Sequence, residues 1–138
     1  MRPIDNLRST EIKSSITHNG SVWCIIPLKK GDSLLVGVIY RSPNADTAQN
    51  DYLNAMMKEM VEKRNSHLMI MGDFNYPDIN WDTQTSDHPS DHPSQGFLSC
   101  YRNCFLYQNV TRPTHYRAQQ QANILDLMFT NESGMIND

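Results

Sequence analysis

The chain has 138 residues, a length that suits one domain with a moderate hydrophobic core. Hydrophobic residues make up 38% and charged residues 20% of the sequence, which excludes wholesale disorder. The formal net charge of −3 excludes the basic field of a protein that grips nucleic acid by charge alone. Chemistry on phosphate groups would therefore need a metal ion to offset the negative site.

The number of cysteines and the length of the apolar segments indicate where in the cell the protein acts. Cys24, Cys100 and Cys104 are an odd number and do not indicate a disulfide framework. No segment approaches the roughly 18–20 apolar residues of a membrane span, and the first residues lack the apolar centre of a signal peptide. We therefore predict an intracellular or nuclear location and no membrane partner.

The first part of the chain predicts a polar segment followed by a hairpin. Residues 1–20 are polar and rich in Ser, Thr and Asn, and we place one domain at 21–138. Two apolar, β-branched runs, 21–28 and 33–40, are separated by four residues that end in Gly31-Asp32. This spacing predicts two antiparallel strands joined by a Gly-Asp turn.

A helix is predicted next, over residues 47–64. Asp46 and Gln49 have the spacing of a capping box at its start. The apolar side chains that recur at helical spacing are Tyr52, Leu53, Met56, Met57, Met60 and Val61. Its methionines would suit an adaptable binding surface, but a stripe facing the core is the better interpretation.

The remaining elements complete an alternating pattern. We predict a buried strand at 67–71, a loop at 76–95, a short helix at 95–106 and a last strand at 124–130. The apolar side of the short helix would hold Phe97, Leu98, Tyr101 and Phe105. The order β-β-α-β-α-β predicts a layered α/β fold with a mixed sheet.

Asp73 and Asn75, in the tetrapeptide Gly-Asp-Phe-Asn, follow the apolar run 68–71. Alternation along an extended chain would point both side chains to one side. A carboxylate and a carboxamide form an oxygen-only pair suited to Mg²⁺ or Mn²⁺ rather than zinc. The alternative is an Asx turn, which is favoured for an isolated Asp-x-Asn. The preceding strand and the aromatic and proline residues of 76–81 shift the balance toward a functional site.

Two further residues are candidates at strand ends. Asp126 lies within an apolar run, where an unpaired carboxylate would cost several kcal/mol. It either pairs with a donor such as His115 or Arg117 or belongs to a polar site at the sheet edge, and the sequence leaves both open. Tyr40 ends a predicted strand, where its phenol can hydrogen-bond a phosphate, although a half-buried rim tyrosine is the better local interpretation.

Histidines and cysteines recur at four-residue spacing. The tandem tetrapeptide Ser-Asp-His-Pro at 86–93 carries His88 and His92, and Cys100 and Cys104 follow. Zinc would need four converging ligands. Because prolines flank both histidines and a helix is predicted for the cysteines, a duplicated polar loop and two semi-buried thiols are the favoured interpretation.

A small basic and aromatic cluster stands before the last strand. It comprises Arg112, His115, Tyr116 and Arg117. These residues could touch a nucleic-acid backbone, but a solvated loop is the favoured interpretation.

Four sequence blocks, taken together, resemble the endonuclease/exonuclease/phosphatase family, and especially the endonuclease domain of non-LTR retrotransposon reverse transcriptases. They are Gly-Val-Ile-Tyr-Arg-Ser-Pro-Asn at 37–44, Leu-Met-Ile-Met-Gly-Asp-Phe-Asn at 68–75, Val-Thr-Arg-Pro-Thr at 110–114 and Leu-Asp-Leu-Met-Phe-Thr-Asn at 125–131. Their order and spacing match from about residue 21 to the end of the chain. Four ordered blocks are far more specific than any one of them.

The resemblance implies a four-layer α/β sandwich with mixed sheets and Mg²⁺- or Mn²⁺-dependent phosphodiester hydrolysis of DNA. Asp73 would position the attacking water, and Asn75 would contact the scissile phosphate or the metal. Tyr40 would hydrogen-bond the phosphate, and Asp126 matches an aspartate of the late strand. The resemblance also places Thr114 at the rim of the active site and Arg41 beside the substrate. It implies a reverse transcriptase as the partner domain in the full gene product.

The sequence departs from the family pattern at both ends. The early strands with a functional asparagine and a metal-binding glutamate have no convincing counterpart in 1–20, where Glu11 is the only glutamate. The terminal Ser-Asp-His motif should follow the last strand, whereas both Ser-Asp-His triplets, 86–88 and 90–92, precede it. The expected fold is therefore an incomplete sandwich. A phosphoesterase of the same superfamily and a catalytically inactive remnant are the alternative functions.

Overall fold

The computed structural model describes residues 9–15, 20–63, 65–110 and 126–132. The strands are β1 (Thr10–Ile12), β2 (Ser21–Pro27), β3 (Ser33–Tyr40), β4 (His67–Asp73), β5 (Ile79–Asn80), β6 (Thr85–Ser86), β7 (Tyr107–Gln108) and β8 (Asp126–Thr130), and the helices are α1 (Thr47–Val61) and α2 (Pro93–Asn103). Neither helix is long and apolar enough to cross a bilayer, within these ranges.

Six strands form one mixed sheet in the order β1-β2-β3-β4-β8-β7, and β5 and β6 form a separate two-stranded hairpin. Strands β3 and β4 are parallel and the other pairs are antiparallel. Since two parallel strands need a crossover, α1 makes the connection between β3 and β4. The predicted α/β class with a mixed sheet is confirmed.

The two faces of the large sheet have different surroundings. Side chains on one face are buried with the helices, as shown by Leu35, Ile70 and Phe129, each 0% exposed. On the opposite face, Val22 and Val38 are about half exposed, at 53% and 50%. The described residues thus supply one large sheet with helices against one face, which is incomplete relative to the expected four-layer sandwich, as predicted.

The predicted antiparallel hairpin of β2 and β3 is confirmed, with Ser21 opposite Ile39 and Pro27 opposite Ser33. Its turn is a short 3-10 turn, in which Lys30 and Gly31 have φ angles of 63° and 80°. The two residues with left-handed backbone angles are thus Lys30 and Gly31, and Asp32 is extended. The chain therefore reverses one residue earlier than the predicted Gly-Asp turn.

The predicted capping box and methionine stripe of α1 are confirmed. Gln49 N–H donates to Asp46 Oδ1 over 2.8 Å, and Asp46 N–H donates to the Gln49 side chain. The three methionines of α1 are at most 1% exposed. The prediction that Tyr52 belongs to the buried stripe is wrong, because this residue is 54% exposed. The buried face holds Asn50 together with the predicted Leu53.

Replacing Asp46 by alanine removes the side-chain acceptor of this capping box. We expect the free energy of unfolding to fall by about 1 kcal/mol, as for other capping residues. Urea denaturation followed by circular dichroism measures this, with the exposed Asp82→Ala as the control. Equal losses in the two variants would contradict the role of the cap.

Helix α2 begins two residues earlier than predicted and ends three residues earlier. His92 is its N-cap and Pro93 its first residue, an arrangement that proline's fixed φ favours. Phe105 lies beyond the helix end with a φ of 55° and is 83% exposed, so its predicted place on the apolar side is wrong. The short strands β1, β5, β6 and β7 were not predicted, because two or three residues carry no measurable alternation.

Candidate functional site

Three of the predicted site residues lie in one row across adjacent strands. Tyr40 is the register partner of Asp73 in the parallel β3–β4 pair. Asp73 is also the register partner of Asp126 in the antiparallel β4–β8 pair. Neighbouring strands lie about 4.8 Å apart, so the three side chains can act on one small group. They occupy the sheet face opposite the helices, at the edge where β3 and β4 end.

The row places two carboxylates directly opposite each other. Asp73 and Asp126 are both half-buried, and like charges at opposed positions of a strand pair destabilise it. A divalent cation held by the carboxylates would offset this repulsion. Both interpretations of Asp126 stay predictions, because His115 and Arg117 lie outside the described residues.

Gly72 sets the position of Asp73. Its φ is 154°, and a Cβ built on it would lie 1.7 Å from the carbonyl oxygen of Ile39. A side chain at this position therefore cannot be accommodated without separating β3 from β4. The glycine of the Gly-Asp-Phe-Asn tetrapeptide allows the close backbone approach that aligns Tyr40 with Asp73.

Asn75 lies outside the strand, in contrast to the alternation expected from the sequence. Strand β4 ends at Asp73, and Asn75 has a left-handed φ of 52°. Its N–H donates to Asp73 Oδ1 over 3.2 Å, which is the Asx turn given above as the alternative. Its side-chain amide donates to the carbonyl oxygen of Arg41. The turn thus fixes both the Asp73 carboxylate and the Asn75 amide.

Arg41 holds the loop after β4 from within the protein. The side chain is only 6% exposed. Its Nη1 donates to the carbonyl oxygens of Phe74 and Asn75 over 3.2 and 2.7 Å. Its Nε donates to Asn50 Oδ1 over 2.8 Å, and the guanidinium lies 3.8 Å from the centre of the Tyr76 ring. Arg41 is therefore a positioning residue, and its role in substrate binding stays a prediction.

Burial shapes the electrostatics beneath the site. Loss of hydration lowers the pKa of Arg41 from its ordinary value, against a smaller opposing effect of Tyr76. Burial likewise raises the pKa of Tyr76 to about 12, although the nearby Arg41 charge opposes the shift. The Tyr76 phenol is therefore neutral at any physiological pH. The sequence analysis did not predict Asn50 as a partner of Arg41. The only sign in the sequence is that a polar residue stands within the apolar stripe of α1.

The position of Tyr40 suits contact with a ligand. The residue is 54% exposed, and its backbone N–H is fixed by the carbonyl oxygen of Gly20 over 2.7 Å. It is the rim tyrosine expected from the local sequence. The same exposure leaves the ring accessible beside Asp73.

Other predicted features do not join the row. Thr114 and the basic cluster at 112–117 lie outside the described residues. Glu11 is the register partner of Cys24, which pairs with Val36. Val36 stands four residues before Tyr40 on β3, roughly 13 Å along the strand, so Glu11 does not supply the glutamate of the family pattern.

The cysteines and histidines separate into two groups. Cys100 and Cys104 line a groove of about 290 Å³ between α1 and α2, together with Asn54 and Lys58. No histidine lines this groove. His88 and His92 instead stack on each other. The structure therefore does not assemble the four-ligand site that the sequence analysis considered and disfavoured.

Comparisons with known proteins agree with the predicted family and fold. Residues 34–137 match the family model described as endonuclease-reverse transcriptase. No match among curated proteins is significant. The chain belongs to the endonuclease-reverse transcriptase family.

A solved structure shares the fold. The endonuclease domain of TRAS1, a telomere-specific non-LTR retrotransposon, is 16% identical with a TM-score of 0.65, and the match covers 90% of this chain and 54% of that one. A Neisseria 3′ phosphatase bound to a product DNA hairpin is 12% identical, with a TM-score of 0.46 and coverage of 89% and 59%. A family protein from Leptotrichia buccalis is 15% identical, with a TM-score of 0.45 and coverage of 91% and 49%. The chain thus spans about half the length of these structures.

Proposed function

We propose that the row of Tyr40, Asp73 and Asp126 is part of the active site of a metal-dependent DNA endonuclease from a retrotransposon-derived protein. The observation that carries the proposal is the register, which brings two carboxylates and an exposed phenol into one row at a sheet edge.

Each residue has a role that follows from its chemistry. The Asp73 carboxylate accepts a hydrogen bond from the attacking water and orients it toward the phosphorus. The Tyr40 hydroxyl donates to a non-bridging phosphate oxygen. The Asn75 amide contacts the same phosphate from the turn, and Asp126 adds the second carboxylate. Arg41 keeps the turn in place through its hydrogen bonds to the carbonyl oxygens of Phe74 and Asn75.

The ligand types fit a hard cation. Asp73, with Asn75 as in the sequence prediction, offers carboxylate and amide oxygens, which Mg²⁺ and Mn²⁺ prefer. Such an ion, when bound, stabilises the negative charge that develops on the phosphate oxygens and the leaving group. It also offsets the repulsion between Asp73 and Asp126.

The family supports DNA as the substrate and a reverse transcriptase as the partner domain. The matching family model carries both activities in its description, and the TRAS1 domain is an endonuclease by its title. With a net charge of −3 the chain has no general attraction for DNA. Contacts to the DNA backbone would then come from local groups, for which Thr114 and the basic cluster at 112–117 remain the predicted candidates.

Nicking of supercoiled plasmid tests this function. We expect Mg²⁺- or Mn²⁺-dependent nicking by the wild-type chain and background nicking by Asp73→Asn, which keeps the shape and the Asx-turn acceptor but removes the charge. Asp82→Asn, an exposed aspartate outside the row, is the matched control and should nick as the wild type does. Equal nicking by wild type and Asp73→Asn would overturn the proposal.

An inactive remnant is the second candidate, because none of the described residues supplies the glutamate of the family pattern. Mn²⁺-induced line broadening in NMR separates the two. Broadening at Asp73 and Asp126 that is lost in Asp73→Asn indicates an assembled metal site. No broadening at millimolar Mn²⁺ indicates a remnant. Turnover of a small phosphoester without nicking would indicate a phosphoesterase instead.

A further inference from the structure

The tandem Ser-Asp-His-Pro repeat forms a compact polar cluster that the row of Tyr40, Asp73 and Asp126 does not use. Asp78 lies just before β5, and His92 caps α2. Asp78 Oδ2 lies 3.2 Å from His88 Nε2. The His88 and His92 rings stack with their centres 3.7 Å apart and their planes 8° apart. The four-residue period of the repeat thus brings two imidazoles together beside a carboxylate.

These three residues have the geometry of a metal site. One ligand atom from each of Asp78, His88 and His92 lies within 4.8 Å of the other two, the only such group of three in the described ranges. A tetrahedral zinc ion with nitrogen and oxygen ligands at about 2.0–2.1 Å places those ligands roughly 3.3 Å apart. The Asp78–His88 separation of 3.2 Å already matches, and the His92 ligand atom lies within 4.8 Å of both partners.

Neighbouring side chains hold both histidines in place. His92 Nδ1 lies 2.8 Å from Ser94 Oγ, which lies 2.8 Å from Ser86 Oγ. Ser94 is 0% exposed. Nδ1 also accepts from the Ser94 N–H over 3.2 Å as the cap of α2. A metal at Nε2 therefore requires the ring proton to move to Nδ1, where Ser94 Oγ can accept it.

Gln95 fixes the backbone that carries His88. Its Nε2 donates to the carbonyl oxygens of Ser86 and His88, each over 2.8 Å. The backbone that carries His88 is therefore held in place before a cation binds.

We propose that Asp78, His88 and His92 bind a zinc ion that clamps the β5–β6 hairpin to the start of α2, with the fourth coordination position open to water. Imidazole nitrogens favour zinc and the other late first-row metals over Mg²⁺. This site is therefore chemically separate from the all-oxygen site proposed at Asp73.

Isothermal titration of the full chain with Zn²⁺, in excess Mg²⁺, tests the site. We expect one zinc ion per chain, and affinities lowered roughly 10–100-fold or more in His88→Gln and in Asp78→Asn. Both side chains are at least partly exposed, so neither variant should unfold the protein. His67→Gln, a half-buried histidine paired with Asp32 and Glu132, is the matched control and should bind zinc as the wild type does.

Co²⁺ absorption identifies the ligands directly. We expect the visible bands of a tetrahedral site, lost in His88→Gln, and no thiolate charge-transfer band in the near ultraviolet. Unchanged zinc affinity in both ligand variants would overturn the proposal. A thiolate band that disappears in Cys100→Ser would move the site to the α1–α2 groove and also overturn it. No zinc binding at about 100 μM Zn²⁺, far above the dissociation constants of structural zinc sites, would also overturn the proposal.

Discussion

Replacing Gly72 by alanine is expected to lower the free energy of unfolding by about 3 kcal/mol or more. The new Cβ would lie 1.7 Å from the carbonyl oxygen of Ile39, and backbone atoms of a paired strand cannot yield as a flexible side chain does. Relief requires β3 and β4 to separate at the row of Tyr40 and Asp73. The substitution should therefore also abolish Mn²⁺-induced broadening at Asp73, even in the fraction that remains folded.

Gly96→Ala is the matched control for this experiment. Gly96 lies in α2, and a Cβ there would meet its nearest atom, Asn54 Nδ2, at 3.8 Å, an ordinary contact. We expect this variant to be more stable than the wild type by about 0.5–1 kcal/mol, because alanine favours the helix. Urea denaturation measures both. A Gly72→Ala protein as stable as the wild type would show that β3 and β4 do not approach as closely as the structure has them.

Replacing Arg41 by alanine should cost about 3 kcal/mol. The substitution leaves the carbonyl oxygens of Phe74 and Asn75 and the side chain of Asn50 without their donor in a buried setting. Lysine should recover little of this loss, since an ammonium group cannot reproduce the planar fork that reaches three acceptors at once. Both variants should weaken Mn²⁺ binding at Asp73, because the turn that carries Asn75 loses its support.

Arg102→Ala is the matched control, since Arg102 is exposed and donates to the carbonyl oxygen of Gln84 over 2.6 Å. Its loss should stay within about 0.5–1 kcal/mol. If Arg41→Lys has the same free energy of unfolding as the wild type in this urea titration, the buried hydrogen bonds of Arg41 do not stabilise the turn as proposed. Weakened Mn²⁺ binding in Arg102→Ala would indicate a general effect of positive charge instead.

The sequence alone determined the family, the fold class and the local elements. The four ordered blocks pointed to the endonuclease family, and the family model over 34–137 agrees. The hairpin of β2 and β3 and the capping box at Asp46 also followed from the sequence. These features depend on neighbouring residues, since alternation, capping and turn chemistry act over a few positions along the chain.

Only the tertiary structure decided which of the candidate residues meet. Tyr40, Asp73 and Asp126 are far apart in the chain, and their alignment depends on the register of two strand pairs, which packing of the buried sheet face fixes. The burial of Arg41 could not be read from its place after a strand, because its partner Asn50 lies on a helix. The repeat gave the spacing of His88 and His92, but the folding of the β5–β6 hairpin brought Asp78 beside them.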